Sequence, residues 1–243
     1  MKLSIIVPAY NEARTIAEVI TRVLAVDIGA LEREVLIVND GSSDETAMNI
    51  ERSPWRADPA VRVFDNPINL GKGAAVRLGL RHATGDIVLI QDADLELDPQ
   101  QHMRLVQPIL DGRTRIVYGS RFAGGSTHIP RRSRVANRAL TMLTNVLYGS
   151  RLTDMETAYK VFRRELLDGM RLRCVGFDFE PEFTANVLRA GYRILEVPID
   201  YDPRRVDDGK KIRWIDGVDA VYALIKCRFA PKVRRLPPTQ SGV

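Results

Sequence analysis

Asp92-Ala93-Asp94 closes the apolar run Ile87-Val88-Leu89-Ile90, and its two carboxylates stand two residues apart across a turn. Carboxylates in that spacing can share a hard divalent cation that bridges phosphate oxygens, with Glu96 adding a third oxygen. A bare triplet of this kind reads as a solvated turn; the apolar strand before it makes it a metal candidate. Asp40, in Asn39-Asp40-Gly41-Ser42-Ser43-Asp44, also follows an apolar run and leaves two readings open. The segment turns the chain and caps the next helix, and Asp40 can in addition accept hydrogen bonds from a nucleotide base or ribose. Gly71-Lys72-Gly73-Ala74-Ala75-Val76 lacks phosphate-loop spacing and has Val76 where a dinucleotide fingerprint wants glycine or alanine. It reads as a helix start whose exposed N–H groups, with Lys72, approach an anion in a minor role.

Charge is unevenly distributed. Positions 112–153 hold eight arginines (Arg113, Arg115, Arg121, Arg131, Arg132, Arg134, Arg138 and Arg151) and no acid. Positions 204–235 hold ten basic and four acidic residues, so the net +5 combines two basic territories with an acidic remainder. That division suits a partner with phosphate groups or an anionic surface, beside a separate acidic pocket for a cation. Nucleic acid is not the expected partner: zinc-finger spacing, an RRM signature and a helix-turn-helix pair are all missing. Leu140, Met142, Leu143, Val146, Leu147 and Tyr148 interleave with the first arginine group. Such a stripe either packs into a core or rests on anionic lipid headgroups.

The elements that must position these groups alternate along the chain. Strands are predicted at 3–7, 35–38, 61–64, 87–90 and 115–118, with helices after Asn11 through Leu24 and at 44–52, 71–83 and 99–110. This implies an α/β fold with a mostly parallel central sheet flanked by helices. The second half is less regular, with amphipathic helices predicted at 133–148, 180–190 and 213–227 and a strand at 194–197. In an open sheet of this kind ligands bind outside the carboxyl ends of the strands, where Pro8 to Glu12, Asn39 to Ser43 and Gln91 to Asp94 all fall. One domain is expected over 1–229, then a loose tail over 230–243. With 243 residues, 45% hydrophobic and 28% charged, the chain has the composition of a soluble globular protein. No apolar run reaches the length of a membrane span and no leader pattern opens the chain, so a cytoplasmic protein is expected. Cys174 and Cys227 read as reduced structural thiols.

Taken together, Ser4-Ile5-Ile6-Val7-Pro8-Ala9-Tyr10-Asn11-Glu12, Val38-Asn39-Asp40-Gly41-Ser42, Asn69-Leu70-Gly71-Lys72-Gly73 and Asp92-Ala93-Asp94 resemble glycosyltransferases of family 2, with the Rossmann-like GT-A fold. Gly119-Ser120-Arg121, the segment Asp154 through Arg164, and Phe177-Asp178-Phe179-Glu180 are similar to the branch of dolichyl- and polyprenyl-phosphate mannosyl- and glucosyltransferases. The resemblance covers about residues 3 to 228. It implies that Pro8, Tyr10, Asn11, Glu12 and Asp40 hold the nucleotide, and that Asp92 and Asp94 bind the donor through Mg²⁺ or Mn²⁺. By the same resemblance Arg121, with Arg134 and Arg138 after it, receives the acceptor phosphate, while Arg204 and Lys210 or Lys211 close over the diphosphate. Asp154 is a candidate for orienting the acceptor or acting as base.

The implied reaction is inverting, metal-dependent transfer of a hexose from GDP-mannose or UDP-glucose to a polyprenyl or dolichyl phosphate at the cytoplasmic membrane face. Glu96 stands where the mannosyltransferases usually place glutamine. No C-terminal transmembrane helices accompany the motifs, so attachment to an anionic membrane is expected through surface helices or a membrane-protein partner; a homo-oligomer is a further expected assembly. The alternatives are a family member acting on another acceptor and a non-catalytic nucleotide-sugar-binding protein of the membrane surface. A sugar-1-phosphate nucleotidyltransferase would carry a glycine-rich loop where Pro8 to Glu12 stands. A processive polysaccharide synthase would carry Gln-x-x-Arg-Trp where Lys210-Lys211-Ile212-Arg213-Trp214 stands.

Overall fold

The structure is a computed structural model that describes residues 1–124, 129–203 and 214–230. Seven strands form one sheet in the order β3-β2-β1-β4-β6-β5-β7. They are β1 (Lys2–Ala9), β2 (Glu32–Asp40), β3 (Val61–Asn66), β4 (Ile87–Ile90), β5 (Ile116–Ser120), β6 (Lys160–Arg163) and β7 (Leu195–Pro198). The helices are α1 (Ile16–Ala25), α2 (Thr46–Arg52), α3 (Lys72–His82), α4 (His102–Leu110), α5 (Arg131–Tyr148), α6 (Phe179–Arg189) and α7 (Trp214–Phe229). The expected alternation and the mostly parallel sheet are both present.

Strands buried on both faces read as unbroken apolar runs, and alternate residues of β1, β2 and β4 feed opposite layers. Leu3, Ile5, Val7, Val35, Ile37, Ile87 and Leu89 pack on one side with Ile16, Val19, Ile20 and Val23 of α1 and Leu105 and Ile109 of α4. Ile6, Leu36, Val88 and Ile90 pack on the other with Val76 of α3 and Phe179 and Phe183 of α6. A smaller cluster joins α5, α6 and α7 through Leu143, Leu147, Ala185 and Leu224.

Two features depart from the sequence expectation. Residues 99–110 are a 3-10 turn (Pro99–Gln101) followed by α4, because Asp98 accepts the Gln100 N–H and Pro99 opens the turn. The other is β6, which was not predicted and runs antiparallel between β4 and β5, pairing Leu89 with Val161 and Tyr118 with Lys160. An antiparallel strand brings its entering loop, here residues 154–159, to the edge where its parallel neighbours deliver their leaving loops. Arg204, Lys210, Lys211 and the tail after Ala230 lie outside the described residues.

Candidate active site at the carboxyl edge of the sheet

The register aligns Ala9 with Asn39, and Asn39 with Asp65, so the loops after β1 and β2 leave side by side. They are tied directly. Asn11, at φ 50°, takes the Ser42 hydroxyl on its N–H and accepts the Ser43 N–H on Oδ1 at 2.8 Å. Glu12 N–H donates to Thr46 Oγ1 at 2.8 Å, and the Thr15 hydroxyl lies within hydrogen-bond reach of both Glu12 Oε2 and Ala93 O. The Pro8 to Glu12 segment is thereby joined both to the Asp40 turn and to the Asp92 turn.

Asp40 is buried, and its carboxylate is already engaged. Oδ1 accepts from Asn66 Nδ2 (2.7 Å) and the Leu70 N–H, and Oδ2 accepts from the Gly71 N–H (2.7 Å). Of its two readings, the structure supplies the turn-organising one and extends it to the loop before α3. Gly71-Lys72-Gly73 differs from its expectation. The Gly73 and Ala74 N–H groups donate to Gly176 O and Val175 O, both at 3.0 Å, so they are not exposed to an anion. The glycines are there for close approach: a Cβ on Gly73 would stand 2.9 Å from Gly176 O, and Gly71 has φ +99° with the Val175 carbonyl against it.

Lys72 bridges carboxylates. Its Nζ lies 2.9 Å from Asp92 Oδ1 and 2.9 Å from Glu180 Oε1. Burial opposes its charge, but Asp92 and Glu180 outweigh burial and hold its pKa above the ordinary lysine value. Asp92 Oδ1 has no hydrogen-bond donor although it is buried beside that ammonium. Asp94 Oδ1 accepts the Glu96 N–H at 3.2 Å. Glu96, expected as a third metal oxygen, is drawn elsewhere: its Oε2 accepts the Tyr201 hydroxyl at 2.7 Å. Among the described residues no three His, Cys, Asp or Glu side chains form a metal-holding group. Two carboxylates on one turn still fit a cation that takes its remaining ligands from water and a diphosphate, as Mg²⁺ does.

The turn itself rests on a buried polar prop that sequence reading missed. Gln91 Oε1 accepts from the Tyr159 hydroxyl (2.7 Å) and from His102 Nε2 (2.8 Å), while Gln91 Nε2 donates to Asp92 O. Burial, aided by Arg33, lowers the His102 pKa to about 3, so the ring is neutral and donates through Nε2. In the unfolded chain the same ring takes a proton below about 6.5, so its contribution to stability is lost as pH falls from there towards about 3. Urea unfolding at pH 7, 6 and 5 should therefore show a loss of about 0.7 kcal/mol over the first step and about 1.2 kcal/mol over the second that His102→Gln lacks. Parallel pH curves for the two proteins would contradict it.

On the other side of β4, Arg121 and Asp154 are locked together. Asp154 Oδ2 accepts from the Arg121 N–H (3.0 Å) and Nε (2.8 Å), and Oδ1 accepts from Arg121 Nη2 (2.8 Å) and Asn137 Nδ2 (3.1 Å). Burial opposes the Arg121 charge, yet Asp154 holds its pKa above the usual arginine value. With four donors on its two oxygens, Asp154 orients Arg121; the base reading has no oxygen left to work with. The guanidinium lies over the Tyr201 ring, 5.3 Å from its centroid, which links it to Glu96. Asn137 brings α5 alongside, and Arg138, Phe122, Met142 and Leu152 line an adjoining opening of about 360 Å³. Arg134 reaches the Ile129 carbonyl at 3.4 Å.

The family signature described as "Glycosyl transferase family 2" matches residues 4–171. The chain belongs to glycosyltransferase family 2. Glycosyltransferase AglD of Haloferax volcanii is 30% identical over 210 residues, which is 84% of this chain and 34% of that protein. The family 2 chain thus spans about a third of the length of that curated relative. Glucosyl-3-phosphoglycerate synthase from Mycobacterium tuberculosis with UDP superposes with TM-score 0.73 at 23% identity, over 95% of this chain and 81% of that one. The same enzyme with Mn²⁺, UDP and glucosyl-3-phosphoglycerate gives TM-score 0.69 at 22% identity, again over 95% and 81%. The family 2 chain shares their GT-A fold. Among its described residues no helix is long and apolar enough to cross a membrane.

Proposed function

We propose that this family 2 chain transfers a hexose, with inversion, from a nucleotide sugar to a polyprenyl phosphate at the cytoplasmic face of a membrane. The observation that carries the reading is the Arg121 guanidinium, fixed by Asp154 on the far side of β4 from the donor loops. Breaking a sugar–diphosphate bond develops negative charge on the leaving nucleotide. Mg²⁺ or Mn²⁺ held by Asp92 and Asp94 would supply a counter-charge there, as the UDP complexes of the mycobacterial synthase with either ion suggest by analogy. Lys72 fixes Asp92 from behind, and the tied loops at Asn11 and Ser42 supply a rigid wall for the nucleotide.

A phosphate monoester has a second pKa of about 6 and is mostly dianionic at neutral pH. It needs positioning more than deprotonation, which matches an Asp154 whose oxygens are committed to Arg121. Arg134 and Arg138 extend the positive wall along α5. On the same helix Val135 (68% exposed), Met142 (67%) and Val146 (76%) are exposed, as are Tyr222 and Phe229 on α7, and so are the basic side chains of Arg138, Lys226 and Arg228 on these two helices. Exposed apolar and basic side chains of this kind suit an anionic bilayer, and a lipid acceptor suits a bilayer surface.

A soluble phosphorylated acceptor is the second reading, favoured by the mycobacterial synthase's complex with phosphoglyceric acid. Incubation with polyprenyl phosphate and 3-phosphoglycerate together, Mn²⁺ and a mixture of UDP-glucose and GDP-mannose, followed by mass spectrometry of the lipid and aqueous products, decides between them. One EDTA-sensitive hexosyl-phospholipid is the expected product. Sugar transfer to 3-phosphoglycerate with unmodified lipid would replace the lipid reading by the soluble one.

A further inference from the structure

Glu156 sits in the loop entering β6, two residues after Asp154 and four before Lys160, and its charged neighbours are Glu180, Lys160, Arg121 and Asp154. Glu180 is the residue that shares Lys72 with Asp92. Glu156 therefore stands between the donor carboxylates on one hand and the Arg121 clamp on the other. Nearby carboxylates have partners: Asp154 has Arg121 and Asn137, Glu180 has Lys72, and Glu196 accepts the Thr153 and Asp154 N–H groups. The Oε1 of Glu156 is buried and has none among the described residues. The residue as a whole is only partly buried, so its side chain is not sealed in the core.

The position has a chemical meaning once the reaction is laid over it. The anomeric carbon must lie between the diphosphate at Asp92 and Asp94 and the attacking phosphate at Arg121. The hexose ring attached to that carbon then comes beside Glu156, whose charged neighbours include Arg121 and Glu180. We infer that Glu156 reads the transferred sugar, pairing its Oε1 with a hexose hydroxyl and so selecting which hexose is accepted. This rests on the hexose-transfer reading above. Burial, with Glu180 close by, raises the Glu156 pKa to about 8, while burial lowers that of Lys160 to about 8. That upward shift favours the protonated carboxyl, which can donate to a sugar oxygen as well as accept from a hydroxyl. Lys160 is occupied, donating to the Met155 and Thr157 carbonyls.

Calorimetry with Mn²⁺ on the full chain separates the sugar from the nucleotide without any acceptor. The probes are UDP against UDP-glucose and UDP-galactose, and GDP against GDP-mannose and GDP-glucose. The wild-type protein should bind one sugar nucleotide at least ~10-fold more tightly than its competitor of the same base, a difference in range of one well-placed hydrogen bond. Glu156→Ala should abolish that preference and leave the affinity for UDP or GDP alone within about twofold. Glu156→Leu, which keeps about the same volume and neither donates nor accepts, should alter the preference likewise and stands in if the alanine variant does not fold. An unaltered preference in both variants, a parallel loss of UDP or GDP affinity, or no preference in the wild type overturns the inference. Sugar-dependent binding that needs Glu156, with no hexosyl-lipid formed, would instead overturn the acceptor reading alone.

Discussion

Asp154→Ala is expected to cost about 3–5 kcal/mol of unfolding free energy, because it leaves the Arg121 guanidinium buried without its counter-charge. The Asp154 side chain is fully buried and that of Arg121 only 17% exposed, so solvent screens little of the pair. Four hydrogen bonds to Asp154 are lost together, two of them from the guanidinium in a forked arrangement. The loss should also reach function: Arg121 is then free to leave the Tyr201 ring, and the acceptor KM rises before the donor KM does. Urea unfolding measures the first effect and steady-state kinetics with each substrate varied measures the second. A loss below about 1 kcal/mol would class the pair with exposed ion pairs, and an unchanged acceptor KM would remove Arg121 from the acceptor site.

Asp94→Asn carries the largest expected effect on turnover, a fall of about a thousandfold with the fold intact. The amide oxygen of asparagine still accepts the Glu96 N–H that Asp94 Oδ1 accepts now at 3.2 Å, so the turn keeps its shape. What is lost is the negative charge offered to a cation. The control is Glu96→Gln, whose oxygen continues to accept the Tyr201 hydroxyl and whose turnover should fall far less. Hexose transfer at saturating Mn²⁺, with melting temperature as the check on folding, compares the two. Equal losses at the two positions would return Glu96 to the metal site, and wild-type turnover in Asp94→Asn would remove Asp94 from it.

The donor half was legible because β1, β2 and β4 are buried on both faces and their residues form short apolar runs with polar stops. Asn11, Asp40 and Asp94 each lie just past such a stop, so their convergence on one edge followed from strand direction. Partners were not legible. Nothing in a one-dimensional reading pairs Arg121 with Asp154, 33 positions away, or Tyr201 with Glu96, 105 away. Lys160-Val161-Phe162-Arg163 was not read as β6 because a cation stands at each end of only two apolar residues. Lys160 is nevertheless fully buried, and the Tyr118 ring lies 4.5 Å from its ammonium. The glycines at 71 and 73 looked like an anion cradle, since a sequence records small size but not that the carbonyls of 175 and 176 fill the space.

The reversed direction of β6 makes the chain between β5 and β6 a single excursion that leaves and returns at one edge. Arg121, α5, Asp154 and Glu156 all travel on it, and its ends are pinned in adjacent strands. Strands β3, β2, β1 and β4, with the loops proposed to hold the nucleotide, are complete before the excursion begins. On the proposed assignment of Arg121 to the acceptor, acceptor and donor chemistry can therefore drift separately. An excursion grafted from another family member should exchange the acceptor while affinity for the bare nucleoside diphosphate survives, and calorimetry on such a chimera would show how far that separability holds.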